Sequence, residues 1–262
     1  MKIKELITER QVTPYDRREE SIDDMMEKVF TNCKEAVSSG FLEFPIWRGF
    51  KSLTQPFFYL DPSKGERMSQ NTTNHYTSLM DNSPYMKGWP KRSKSFIASS
   101  GTSYAGAFGN PYMIIPFDGV DIAVCPETDL WQTPVSIPEL GKKYSRGDSH
   151  RDLSDLNDWL YNTLGFSSAR FEDMVTMSKT EEFAKNVAYY ISPDVDPSKV
   201  IPALQKALSP QKTGFRLMSI AEYAQERPKN KEVWFSGPCY AISIDFLVAN
   251  NLYDRWNGTP KF

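Results

Sequence analysis

Three groups of residues, far apart in the chain, have types that could do chemistry. Arg48 sits inside the apolar run FPIWRGF (Phe44 to Phe50), between Trp47 and Gly49. A guanidinium in an apolar strand needs a partner, because an unpaired buried charge is costly. Its planar fork suits the phosphates of a ligand, and Gly49 omits a side chain that would block close approach. The plainer reading is an ion pair with an internal carboxylate. The second group is SFIASSGTSYAGAFG, Ser95 to Gly109. An apolar pair, Phe96-Ile97, runs into Ser99, Ser100, Thr102 and Ser103. Tyr104, Ala105, Ala107 and Phe108 then begin a helical spacing. This reads as a strand, a hydroxyl-rich turn and a short helix. Such hydroxyls can donate to or accept from a ligand; the plainer reading is a helix cap through Ser100 or Thr102. The third is Glu232, which opens EVWF after the polar loop ERPKNK, with Lys231 beside it. A carboxylate at a strand mouth can hold a ligand hydroxyl or a developing cation. The plainer reading is a solvated edge residue.

Other candidates carry less. His75 and His150 are the only histidines, and both lie in polar segments with no nucleophile nearby, so they read as surface or loop residues. Asp148, His150 and Asp152 have a spacing that could ligate a metal, but Asp152 reads more simply as a helix cap. The basic run from Lys87 to Lys94 could touch phosphate, and Trp89 within it could stack on a base.

The elements that must position these groups follow from periodicity. Ser21 to Ser39 is the clearest helix. Ser21 caps it, Asp23 and Asp24 occupy its first turn, and Ile22, Met25, Met26, Val29, Phe30, Cys33, Ala36 and Val37 form one apolar face, with Gly40 as the stop. Strands are expected over 44–50 and 55–60, as neighbours. Two more, Tyr112 to Pro116 and Asp121 to Cys125, are expected as a hairpin around Asp118-Gly119. Residues 126–150 read as a long loop, and helices follow from Asp152 to Leu208. Ser219-Ile220-Ala221-Glu222 is a capping box at the head of a short helix. Strands resume over 232–235 and 240–244, and Asp245 caps a last helix reaching Tyr253. The expected architecture is a single α+β domain over 1–262, with a lead-in arm at 1–20, a mostly antiparallel sheet, and a helical insert at about 150–215.

Composition bounds the function. The chain has 262 residues, 40% hydrophobic and 13% aromatic, enough for a large core and a ring-lined cleft. The net charge of −2 and a pI near 5.8 disfavour a protein that coats nucleic acid by whole-molecule charge. Three well-separated cysteines show neither a metal spacing nor a disulfide framework, which fits a reducing compartment. The opening MKIKELITER lacks the apolar core of a secretory leader, and no run approaches the ~18 apolar residues of a membrane span. A soluble cytoplasmic protein with no membrane partner and no metal is expected.

Taken in order, the three groups resemble the signatures of the Arg-Ser-Glu class of mono-ADP-ribosyltransferases: an aromatic-Arg-Gly strand, a Phe-x-Ser-Thr-Ser strand with a following helix, and a strand opened by Glu-Val. Here these look like Trp47-Arg48-Gly49, Phe96-Ile97-Ala98-Ser99-Ser100, and Glu232-Val233-Trp234. The likeness covers three short motifs within residues 44–236. It implies a split antiparallel sheet with an N-terminal helix, and NAD as a substrate. Arg48 would grip the NAD pyrophosphate or the nicotinamide-ribose phosphate. Gly49, Ala98, Ser99 and Ser100 would line the pocket, and Tyr104 or Phe108 would stack over the nicotinamide. Glu232 would hold a ribose hydroxyl and stabilise the oxocarbenium-like transition state, a chemistry parallel to glycoside cleavage. Residues 219–231 would read the acceptor, with Tyr223 as a surface ring and Asn230 on the acceptor side. Two departures stand out. Ala98 replaces the first serine, and Asn230 stands where arginine-modifying members carry Glu. The acceptor implied is a protein or nucleic acid of unspecified identity, with water as the alternative. The chain's general character also resembles tailed-phage proteins, which would place it in a host cytoplasm. A non-catalytic interaction or virion-associated protein that keeps the fold is the second expectation, and a single-stranded nucleic-acid binder the third.

Overall fold

The computed structural model describes residues 21–51, 53, 55–65, 67, 74–137, 140 and 151–252. Along the chain its strands are β1 (Ile46–Phe50), β2 (Phe57–Leu60), β3 (Phe96–Ser99), β4 (Asn110–Pro116), β5 (Ile122–Val124), β6 (Pro134–Val135), β7 (Arg151–Asp152), β8 (Arg216–Met218), β9 (Glu232–Phe235) and β10 (Cys239–Ser243). Its α-helices are α1 (Ile22–Asn32), α2 (Lys34–Ser38), α3 (His75–Asp81), α4 (Thr102–Gly106), α5 (Leu153–Asn162), α6 (Phe171–Met177), α7 (Glu181–Tyr190), α8 (Val200–Ala207), α9 (Pro210–Thr213), α10 (Ile220–Glu226) and α11 (Ile244–Ala249). The fold is mixed helix and sheet, built on an eight-stranded sheet of order β2-β10-β4-β1-β3-β9-β5-β8, whose pairs described below are all antiparallel.

The chain divides into two compact units. One gathers the described residues within 1–66, 94–124 and 217–262; the other gathers those within 67–93 and 125–216. The expected helical insert falls in the second unit, joined there by α3 and by β6–β7.

In the first unit α1 forms as expected. Ser21 and Asp24 make a reciprocal capping box, and Met25, Met26 and Val29 are buried. The single long helix expected over 21–39 is instead two, broken at Cys33, whose backbone leaves helical geometry. The thiol of Cys33 is buried and lies 3.9 Å from the Ile115 carbonyl. Burial and the nearby Asp118 push that thiol well above its ordinary pKa, so it packs as a small apolar group. One sheet face carries an aromatic layer. The Phe50 ring lies 5.4 Å from Phe58, 6.0 Å from Phe96 and 5.2 Å from Tyr112, and Phe96 lies 5.7 Å from Phe235.

Two expected pairings are corrected. β2 pairs with β10, not with β1. β4 and β5 do not form a hairpin: β4 lies between β10 and β1, while β5 pairs with β9. The Asp118-Gly119 turn does form, with Gly119 at φ +77°. It connects strands on opposite sides of the sheet, because Asp118 is drawn to the helices. Its amide donates to the Asn32 carbonyl, and its carboxylate accepts from the Glu35 amide. The last helix is capped by Ser243, not Asp245, and ends at Ala249, where Asn250 closes it.

In the second unit the helices over 153–208 form as expected, and α5 buries Leu153, Leu156 and Leu160. His75 is not a surface residue. It is buried on α3, with Nε2 2.8 Å from the Phe166 carbonyl. Within the basic run Lys87 and Lys91 are exposed, but Arg92 is internal: its Nε donates to the Tyr76 hydroxyl at 2.9 Å, and its own amide donates to Asp81. The arm at 1–20, Asp148, His150 and the Asp152 side chain lie outside the described residues, as do most of 138–150 and everything beyond 252. No described helix is long and apolar enough to cross a membrane.

Candidate active site

The ten residues that the resemblance assigns to the site all belong to the first unit. Strand register decides which of them meet. Residues directly opposed in an antiparallel pair point to the same face, and a shift of one residue reverses the face. Glu232 opposes Ser99, Ser99 opposes Trp47, and Trp47 opposes Met113. The row continues through Ile242 to Phe57. A carboxylate, a hydroxyl and an indole therefore stand side by side on one face, with neighbouring Cβ atoms about 5 Å apart. Their relative exposures are 8%, 8% and 7%; Met113 and Ile242, in the middle of the row, are at 0%, and Phe57 at its far end is half-buried.

This register separates the residues of the hydroxyl motif. Ala98 opposes Val233, not Glu232, and lies on the other face within the apolar core. Ser99 is the hydroxyl that shares the face of Glu232, so alanine at position 98 removes nothing from the site. The Ser99 Oγ accepts the Gly101 amide at 3.0 Å, which holds the turn after β3.

Arg48 stands one place off this row, opposite Tyr112, so its side chain leaves β1 on the other face, that of Ala98 and the aromatic layer, and the register does not bring it onto the face of Glu232. Its position depends on a break in the sheet. β1 and β3 pair only at Trp47 and Ser99. Continued pairing would put Gly49 opposite Ile97. Instead the Arg48 guanidinium donates to the Ile97 carbonyl at 2.8 Å, where the two strands part. The guanidinium carbon lies 6.0 Å from the Phe96 ring centre and 5.8 Å from that of Phe108. Arg48 is half-buried; Phe108 is exposed, and so is Tyr104 on α4.

Gly49 has a different use from the one expected. A Cβ there would strike the Ala105 carbonyl and come within 2.8 Å of the Gly109 amide nitrogen. The close approach that glycine permits is therefore that of α4 and the turn after it, not that of a ligand. This contact seats the Tyr104 to Phe108 segment over β1.

Tyr223 is also corrected. It is buried, its ring 5.5 Å from Phe41, and burial raises its phenol well above the ordinary value, a shift partly offset by a hydrogen bond with the Ser100 side chain. Most of the expected acceptor-reading loop is α10, headed by the Ser219–Glu222 capping box. Arg227 ends that helix in the left-handed region at φ 52°, its guanidinium on Glu43 at 3.1 Å and over the Phe44 ring at 3.8 Å. The short link from Arg227 to Asn230 is exposed apart from the half-buried Pro228, as are Ala221, Glu222, Gln225 and Glu226 on α10. Asn230 lies against the turn after β3: its Oδ1 would be 2.5 Å from a Cβ on Gly101.

Ser100 faces inward as well. Its amide donates to the Lys231 carbonyl at 2.9 Å, and its Oγ accepts the Lys231 amide at 2.8 Å. The sequence reading named Ser100 and Tyr223 but not their link, nor Trp47 as part of the row. The period-two alternation of β1 carries the signal for Trp47; nothing in the sequence carries the link.

The sheet thus holds a buried carboxylate beside a serine on one face, and a guanidinium that leaves from the other face at a strand parting, under an exposed ring. It can bind an anion at Arg48, accept hydroxyl donors at Glu232, and offer Phe108 to a flat ring. Among the described residues, no group of three or more His, Cys, Asp or Glu could hold a metal ion. Comparison with models of protein families, with curated proteins and with solved structures returned no match.

Proposed function

We propose that the chain is an ADP-ribosyltransferase that cleaves NAD and passes ADP-ribose to a protein or nucleic acid, or to water. The observation that carries the reading is the direct opposition of Ser99 and Glu232 across β3 and β9, with Trp47 next in the row. The reading requires the Arg48 guanidinium, which leaves β1 on the other face, to reach the dinucleotide through the parting of β1 and β3. In this reading Arg48 binds the NAD pyrophosphate and Phe108 covers the nicotinamide. Ser99 and Glu232 hold the nicotinamide ribose. The bond between C1′ and the nicotinamide nitrogen breaks, and its electron pair leaves with nicotinamide. Glu232 stabilises the cation left on the ribose. The acceptor attacks C1′ and gives up its proton.

A second reading is a non-catalytic protein that keeps the architecture. It is favoured by the offset of Arg48 from the Ser99–Glu232 row and by its bond to the Ile97 carbonyl. NAD labelled in its adenylate phosphate, incubated with wild type and Glu232→Ala in a cell lysate, separates the two. Transfer of label, or nicotinamide release, by wild type alone is the expected result. Neither event, together with no heat on NAD titration, would leave the second reading.

A further inference from the structure

The basic run, which NAD cleavage leaves without a use, is built into a surface of the second unit. Between Asn82 and Ser93 lie Lys87, Lys91 and Arg92, and no carboxylate. The segment is held at both ends. At its start a short 3₁₀ turn, Pro84–Met86, is capped by Ser83, whose Oγ accepts the Tyr85 amide at 3.3 Å. At its end the Asp81 carboxylate accepts the Arg92 and Ser93 amides at 2.6 and 2.9 Å, which engages the nearest acid in the sequence. Between these anchors Tyr85, 46% exposed, reaches solvent with Lys87 and Lys91, and Trp89 is half-buried. Ring and cation therefore alternate at every second residue from Tyr85 to Lys91.

The fold adds cations that are remote in sequence. The Ser83 Oγ donates to the Gln205 carbonyl at 3.3 Å, and the Gln205 Nε2 donates to the Asn82 carbonyl at 2.8 Å. These bonds seat α8 against the start of the segment, with Lys206, the next residue, exposed. From Pro197 to Arg216 the chain carries Lys199, Lys206, Lys212 and Arg216, and again no carboxylate. The acids of α5, α6 and α7 are Asp155, Asp158, Glu172, Asp173, Glu181 and Glu182, so charge in this unit is divided between its elements. A chain of net charge −2 thus has a local basic surface with rings set in it.

We propose that this surface binds single-stranded nucleic acid, independently of NAD cleavage. Tyr85 and Trp89 stack on unpaired bases, and Lys87, Lys91 and Lys206 neutralise phosphates. The rings select the single strand. A base inside a duplex is covered on both faces by its neighbours, and an acidic peptide offers charge without a π-face. Lysines meet phosphate as point charges and read no sequence, so the binding tolerates any base order.

The test is fluorescence anisotropy of labelled oligothymidylate and oligouridylate, each of about 15 nucleotides, titrated with protein in the absence of NAD. Wild type is compared with Lys87→Ala/Lys91→Ala, Tyr85→Leu and Tyr85→Phe, each checked for an unchanged melting temperature. The expected Kd is about 1–100 µM at physiological salt, and log K falls with log salt at a slope of about −2, as for three phosphate contacts. The double lysine variant weakens binding at least about tenfold and loses about 1.4 of that slope. Tyr85→Leu weakens it about tenfold, and Tyr85→Phe, which keeps the ring, stays within about twofold. Binding of either strand supports the proposal, and the tighter one names the sugar. No anisotropy change with either strand at about 0.1 mM protein overturns it. Unchanged affinity in the double lysine variant overturns the placement at this surface, and unchanged affinity in Tyr85→Leu overturns the stacking. Displacement of the strand by duplex DNA or by polyglutamate as readily as by unlabelled strand overturns the choice of ligand. NAD turnover enters none of these readouts, so failure here and failure of the NAD-cleaving reading are separate results.

Discussion

Ser99 and Glu232 are opposed residues of one antiparallel pair, so a hydroxyl on β3 and a carboxylate on β9 share a face and a neighbourhood. Neither is placed by a loop. Both are fixed by backbone pairing at the centre of the sheet, which is a more exact support for chemistry than a flexible segment. Ser99→Ala is expected to slow NAD cleavage by about ten- to a hundredfold in steady-state assays. It should cost only about 1 kcal/mol of stability, through loss of the Oγ acceptor for the Gly101 amide. A full-rate Ser99→Ala enzyme would remove serine from the site.

Gly49→Ala tests the seat of α4. The added methyl collides with the Ala105 carbonyl and the Gly109 amide, both backbone, so no side-chain rotation relieves it. A loss of about 1–3 kcal/mol in urea denaturation is expected. NAD affinity should fall with it, since the Phe108 segment moves off β1.

Arg92 and Lys91 are neighbours with opposite fates. Arg92 is buried, with Nε on the Tyr76 hydroxyl at 2.9 Å and the guanidinium carbon 5.6 Å from the Tyr76 ring centre; Lys91 is exposed. Arg92→Ala should lower stability by about 3 kcal/mol, and Lys91→Ala by less than about 0.5 kcal/mol. Thermal unfolding of the two variants reads the difference directly. Neutralising both residues to test nucleic-acid binding would therefore unfold the surface under test; Lys87→Ala with Lys91→Ala is the clean pair.

His75 adds a pH dependence. Burial holds its imidazole below the ordinary value of 6.5, against the opposing pull of the Phe166 and Ser168 backbone. The unfolded chain then binds the proton more readily than the folded one. Stability is complete above about pH 6.5 and is lost as pH falls through the lowered folded value, at no more than about 1.4 kcal/mol per pH unit. Melting curves from pH 7.5 to 5 should show that slope in wild type. They should show it reduced by this one proton's share in His75→Gln, which keeps a donor for the Phe166 carbonyl.

The sequence showed most of the elements and misplaced how they meet. α1, its Ser21 cap and its apolar stripe were legible because local spacing and capping decide them. The partners of β2, β4 and β5 were not, because sheet neighbours are chosen by packing across the whole unit. The Asp118-Gly119 turn looked like a hairpin, but Asp118 bonds to Asn32 and Glu35 and sends the chain elsewhere. Ser99 was singled out beside Ala98 and Ser100, but which of the three shares the face of Glu232 was not legible, since only register against β9 tells them apart. Tyr223 was expected as a surface ring because the resemblance implied an acceptor-reading loop over 219–231; most of that stretch is instead α10, which buries Ile220, Tyr223 and Ala224.

The central claim is that Glu232, beside Ser99, cleaves the nicotinamide bond of NAD. Nicotinamide release from NAD, followed by chromatography with purified wild type and Glu232→Gln, tests it most directly. The expected result is steady release by wild type, reduced at least about a thousandfold in Glu232→Gln with the melting temperature retained. Equal release by the two proteins, or none by wild type with acceptors supplied, would contradict it.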